Sequence, residues 1–235
     1  MRTGKRAVKG LTLLVCSFFL LCGCSLQKAD PALSVAAGQI QRLHYEEAIA
    51  QLKERKGDSK TQREVLRLLG IAYLKKGSYQ KAAVSLKKAL SLSDGLLCEE
   101  DFDLSYYLAQ CYREMGKADE AVKVYEHILA LRPHDLTALY ELGATKLAAG
   151  DLTGAAANLD KAVNEDPRNL DLRIRIFQMY AQYGKEDTGK AVLSEAKNRY
   201  GAELSAYDRG RLDFYLGNNA EAQSGLEKAL AQAGE

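Results

Sequence analysis

The stretch "LRLLGIAYLKKGSYQKAAVSLKKAL", Leu66 to Leu90, decides the fold. Apolar residues recur through it at helical spacing on both sides of Gly77, with no strand-like alternation. Two further stretches align with it: "SYYLAQCYREMGKADEAVKVYEHIL" at 105–129 and "LYELGATKLAAGDLTGAAANLDKAV" at 139–163. Glycine recurs at 77, 116, 150, 184 and 217, at spacings of 39, 34, 34 and 33. Five residues after each comes a small residue: Ala82, Ala121, Ala155, Gly189 and Ala222. Ala48 belongs to the same column, with Leu43 in place of the turn glycine. Self-similarity at such a period signals stacked supersecondary units that bury a continuous core together.

The pattern resembles the tetratricopeptide repeat, a helix–turn–helix unit of about 34 residues. Leu66, Leu69, Gly70, Tyr73, Ala82, Leu86 and Ala89 match it most closely, followed by Leu108, Ala109, Tyr112, Ala121, Tyr125 and Pro133. The third run of matches is Leu139, Leu142, Gly143, Ala155, Leu159, Ala162 and Pro167. The resemblance implies an all-α, right-handed superhelical solenoid over residues 29–235, with five to six units at about 29–62, 63–96, 102–135, 136–169, 170–202 and 203–235. The turn glycines supply a left-handed conformation that ends each first helix. Pro31 suits a helix start, and Pro133 and Pro167 stop second helices. The five extra residues of the 39-residue spacing fall in a loop, "DGLLCEED".

This periodicity disposes of a second motif. In "YGKEDTGKAV", 183–192, Gly184, Gly189 and Lys190 have the spacing of a phosphate-binding loop. Such a loop needs a strand before it and a helix start after its lysine. Here a helical repeat precedes it, both glycines already serve the repeat, and Ala191 offers no hydroxyl. No nucleotide, cofactor or metal is expected. His44, His127 and His134 have no ligand partners at suitable spacing, no nucleophile elbow occurs, and no catalytic residue is assigned. Cys111 shares its column with Ala72 and is expected to be a small buried residue. Cys98 and Cys111 are too few for a disulfide framework, although one bridge between them is open to an extracytoplasmic protein.

The tyrosines divide by column. Tyr73, Tyr112 and Tyr180 share one inward column, Tyr45 and Tyr79 another, and Tyr125 a third; these are expected in the core. Tyr106, Tyr140 and Tyr207 occupy the fifth position of their units. In the family that position, with the ninth and the twelfth or thirteenth, lines a concave groove for extended peptides or partner helices. Arg67, Gln110, Arg113, Gln178 and Arg211 stand beside them, and Tyr and Arg are common binding hot spots. The Lys–Asn pair with which some chaperone-binding relatives hold a C-terminal carboxylate is missing: Arg67 stands with Ile71, Tyr106 with Gln110, Tyr140 with Ala144.

The first residues are of another kind. Arg2, Lys5, Arg6 and Lys9 precede an apolar run of 11 residues, "LTLLVCSFFLL", which ends in "CGC". A basic head, a short apolar segment and small residues make a secretory signal, and the run is too short to span a bilayer. It resembles the bacterial lipobox. Cys16 and Cys22 follow bulky residues, whereas Cys24 follows Gly23 with Leu21 upstream. The resemblance implies a signal peptide over 1–23, a diacylglycerol thioether on Cys24 and a tether at 24–28. More than one acyl chain gives stable anchoring. Without the signal the chain's net charge of +2 becomes −2 over 24–235, so the basicity is a targeting charge and no nucleic acid is implied.

Charge is also uneven along the repeats: +5 over 63–96 and −5 over 97–135. Either the neighbouring units complement each other, or the basic one faces anionic lipid. Together these readings describe a lipid-anchored adaptor on the extracytoplasmic side of the cell membrane, binding an envelope protein or peptide in its groove. An outer-membrane location is open because Ser25, not Asp, follows Cys24. The alternative is an assembly factor for an outer-membrane barrel or pilus secretin.

Overall fold

The computed structural model describes residues 30–93 and 98–234. The expected signal, Cys24 and its tether lie outside them. Among the described residues there are twelve helices and no strand. They are α1 (Pro31–Gln41), α2 (Tyr45–Glu54), α3 (Ser59–Lys75), α4 (Tyr79–Ser91), α5 (Glu99–Glu114), α6 (Ala118–Leu131), α7 (Leu136–Ala148), α8 (Leu152–Glu165), α9 (Leu170–Gln182), α10 (Glu186–Tyr200), α11 (Ala206–Leu216) and α12 (Asn219–Ala233). Consecutive helices pack as antiparallel pairs, and each pair packs on the next, giving a solenoid.

Local chemistry sets the helix ends. Asp58, Asp135, Asp151, Asn169 and Ser205 cap α3, α7, α8, α9 and α11 through side-chain oxygens that accept backbone N–H groups. Pro31 opens α1 behind the Asp30 cap, and Pro133 and Pro167 follow the ends of α6 and α8. Gly77, Gly116, Gly150, Gly184 and Gly217 all have φ between 68° and 86°. Each closes its turn with the same pair of bonds; in the first, Gly77 N–H donates to Leu74 O at 2.9 Å and Ser78 N–H to Tyr73 O at 2.8 Å. Leu43 adopts φ 67° and makes the equivalent bonds to Ile40 and Gln39. A side chain therefore occupies a left-handed position that costs L-residues roughly 1–2 kcal/mol.

Small residues bring paired helices into contact. A Cβ on Gly70 would stand 2.6 Å from Leu86 Cγ, and one on Gly143 2.7 Å from Leu159 Cγ. Leu86, Leu159, Tyr125, Tyr180 and Ile176 are almost wholly buried. Each large apolar side chain so buried contributes about 1.5–3 kcal/mol. Tyr73 is buried as expected, whereas Tyr45, Tyr79 and Tyr112 lie half-buried at the margin of the core. Cys111 is fully buried, burial pushes its thiol up to about 11, and both it and the exposed Cys98 are free, so the conceivable bridge is not made.

The expected loop "DGLLCEED" is shorter than the sequence suggests. Glu99, Glu100 and Asp101 form the first turn of α5, where acids favour the helix dipole. Asp101 is buried and accepts from the Cys98 amide at 3.0 Å and from Arg63 at 2.7 Å. Arg63 also pairs with Glu100, and Arg67 reaches Glu100 at 3.2 Å. Two cations of the basic unit, Arg63 and Arg67, thus meet acids of the next unit at the α3–α5 junction.

Candidate functional site

Tyr106, Gln110 and Arg113 stand at i, i+4 and i+7 on α5, one face of one helix. The same face of α7 carries Tyr140, and that of α9 carries Gln178. Between these three helices lies a cleft of about 430 Å³, lined among others by Arg113, Tyr140, Glu141, Arg175, Gln178 and Tyr183. A second cleft of about 260 Å³ adjoins it between α7 and α9, with Thr137, Asp171 and again Tyr140 and Arg175. The first helices of the units, with the Asn169 cap before α9 and the turn after it, build both clefts.

The eight residues expected to line a groove meet different fates. Arg113, Tyr140 and Gln178 come together in the larger cleft. Arg113 is ion-paired with Glu141, and Gln178 donates to the Tyr215 hydroxyl at 3.1 Å. Arg67 holds Glu64 through two bonds of 2.6 Å and reaches Glu100, so it belongs to the α3–α5 junction. Tyr106 lies half-buried, 6.2 Å from the Tyr125 ring, and donates its hydroxyl to Asp135 at 2.6 Å. Burial and that carboxylate push its pKa up. Its place is structural as much as exposed. Gln110 is solvent-facing. Tyr207 is 55% exposed with Arg211 5.4 Å over its ring, and Arg211 pairs with Asp171 at 2.5 Å and Asp208 at 3.4 Å.

Arg175 had not been expected. It lies 4.4 Å from the Tyr140 ring centroid and lines both clefts. Its column contains Tyr107, Glu141 and Asp208 in neighbouring units, with no shared chemistry to mark it. The tyrosine column, by contrast, is filled in its unit by Ile174, which is buried.

The resemblance to a phosphate loop dissolves structurally. Gly184 is a left-handed turn, and Gly189 lies inside α10, where an added Cβ would meet the Phe177 backbone at 3.0 Å. Lys190 pairs with Glu186 one turn back at 2.7 Å. Among the described residues no group of three or more His, Cys, Asp or Glu side chains could hold a metal, and no helix is long and apolar enough to cross a membrane.

Two consecutive matches to the tetratricopeptide repeat model cover 73–145 and 146–212. The chain belongs to the tetratricopeptide repeat family, whose members are in general interaction scaffolds and not enzymes. Among solved structures it is similar to MamA residues 41-end from Desulfovibrio magneticus RS-1, with 24% identity, TM-score 0.58, and 74% of this chain and 96% of that one covered. A repeat protein from Parabacteroides merdae matches at 20% identity, TM-score 0.57, over 86% and 78%. YrrB, described as a repeat protein with an unusual peptide-binding site, matches at 20% identity, TM-score 0.52, over 72% and 85%. At these identities the likeness is one of fold. Curated relatives include the mouse (Mus musculus) FK506-binding protein-like, 32% identical over 84 residues, which is 36% of this chain and 24% of that protein. The bovine (Bos taurus) BBSome complex member BBS4 is 33% identical over 88 residues, 37% and 17%. The chain thus matches a quarter or less of the length of these relatives.

Proposed function

We propose that this protein is a lipid-anchored adaptor of the bacterial cell envelope, gripping an extended segment of a partner protein along the face built by its first helices. The observation that carries the reading is the pair of adjoining clefts over α5, α7 and α9, with the Tyr140 ring between them. Tyrosine supplies large contact area at small entropic cost, as binding surfaces require. The structural likeness to a repeat protein with a peptide-binding site agrees with a peptide ligand. Anchoring rests on the Leu21-Cys22-Gly23-Cys24 sequence and its basic, apolar approach. Only six residues separate Cys24 from Pro31, about 20 Å fully extended, so the solenoid would work close to the bilayer.

The test is cross-linking in cells with a C-terminally tagged chain, in wild-type, Tyr140→Ala and Cys24→Ser forms. A partner captured by wild type and lost with Tyr140→Ala supports the cleft. Release of Cys24→Ser from the membrane fraction supports the anchor. Identical capture by the Tyr140→Ala form, or unchanged membrane extraction of Cys24→Ser, refutes the corresponding half.

A further inference from the structure

The arginines of the first-helix face are not equivalent. Arg67, Arg113 and Arg211 are each closed into carboxylate pairs within the chain. Arg175 has no carboxylate partner among the described residues; what it has is the Tyr140 ring at 4.4 Å. The acids that line the clefts are already claimed, Glu141 by Arg113 and Asp171 by Arg211. Arg175 therefore keeps a charge that neither of these acids pairs with.

We propose, resting on the adaptor reading above, that Arg175 sets partner selectivity by binding an aspartate or glutamate side chain within an extended partner segment. A guanidinium stacked on an aromatic ring loses little hydration and keeps its edge donors free, in a fork that fits a carboxylate. An ion-pairing residue fixed this way sacrifices little further side-chain freedom on binding. Arg175 also forms, with Tyr140, the saddle between the two clefts. A chain occupying both must cross it, so the residue it meets is internal and not a terminus.

The geometry adds spacing to the chemistry. Tyr183, 44% exposed, lies eight residues along from Arg175, close to two helical turns. That is about 12 Å, or roughly four residues of extended chain. The ring offers a platform for a large apolar side chain about four positions from the acid. From Asn169 to Tyr183 the clefts follow about 20 Å of helix, enough for roughly six extended residues.

The experiment uses a display library of random twelve-residue peptides held within a carrier protein, selected on the full chain in detergent micelles. Wild type should enrich an acidic residue with a large apolar residue about four positions away. A synthetic, C-terminally amidated peptide of the enriched sequence should bind at least about tenfold more weakly to Arg175→Gln than to wild type, the scale of one charge-assisted contact. Changing the peptide acid to its amide should weaken wild type by a similar factor and leave Arg175→Gln unaffected, since a double-mutant cycle isolates the pair. Arg175 is exposed, and circular dichroism of the variant would verify its fold. If Arg175→Gln keeps the same acid preference while Gln178→Trp blocks binding, the carboxylate proposal fails and the cleft reading stands. If binding ignores Arg175→Gln, Gln178→Trp and Tyr140→Ala alike, both fail. A requirement for a free peptide C-terminus would overturn the internal-acid proposal.

Discussion

The α3–α5 and α7–α9 junctions are built from the same repeat, yet they use arginine in opposite ways. At α3–α5, Arg63 and Arg67 face Glu100 and the buried Asp101, and the charges are consumed in joining two units. At α7–α9, Arg175 meets an aromatic ring and pairs with no acid among the described residues, and a cleft opens beside it. The difference teaches that an arginine on the inner face is consumed in joining units or left without an acid, depending on what the next unit places opposite it. Burial sets the energetic consequence. A buried pair is costly to break because its orphan stays desolvated, whereas an exposed pair contributes little.

The largest expected effect breaks the sealed junction. Asp101→Asn should destabilise the fold by roughly 3 kcal/mol, the lower range for breaking a buried pair because Glu100 still faces Arg63; urea denaturation followed by circular dichroism measures it. Arg175→Gln in the same assay should change stability by no more than about 0.5 kcal/mol, as at an ordinary surface site. Equal losses from both would erase the distinction between the junctions.

Acid should dissolve the same contrast. Burial alone would raise the Asp101 carboxyl, but the Cys98 amide and thiol and the Arg63 guanidinium outweigh it and hold it below its ordinary value. A depressed folded-state pKa contributes stability above the unfolded value, about 3.9, which is lost as pH falls through the folded one. The stability gap between wild type and Asp101→Asn should therefore be full at pH 5 and shrink steadily below about pH 4. A gap that stays constant down to pH 3 would mean the carboxylate charge is not what seals the junction.

Leu43→Gly should gain about 1 kcal/mol by relieving the left-handed strain, with part of the gain offset by the greater unfolded-state freedom of glycine. Thermal unfolding is the readout. A loss instead would show that the Leu43 side chain, 70% exposed here, contributes contacts of its own. A small effect also belongs to Arg113→Gln, whose ion pair with Glu141 is partly exposed: below about 1 kcal/mol in stability. The same change frees Glu141 beside Arg175. It should weaken binding of an acidic peptide through repulsion and through competition for the guanidinium.

Much of the fold was legible from a few columns. The five glycines at left-handed φ, Leu43 standing in for a sixth, and the contacts at Gly70 and Gly143 follow from spacing alone, because each depends on backbone conformation or side-chain size within one unit. The start of α5 was misjudged, since Glu99, Glu100 and Asp101 read as loop polarity when they are the acidic first turn of a helix. The site was legible only in part. Columns brought Arg113, Tyr140 and Gln178 to one cleft, but gave no sign that Arg67 and Arg211 were already engaged or that Tyr106 would donate to Asp135.

What the amino-acid order alone determined is the repeat: helix period, turn positions, small-residue contacts and the face on which each side chain falls. These are local properties, set by backbone sterics and by periodicity within about 34 residues. Tertiary structure alone decided which charges remain available. Arg113 finds Glu141 28 residues away, and Arg211 finds Asp171 at 40. Such pairs form only once the units stack with a particular tilt and separation. A carboxylate a few ångströms nearer or farther decides whether an arginine is neutralised within the chain or left for a partner, because charge–charge attraction and hydrogen bonding fall away over that distance.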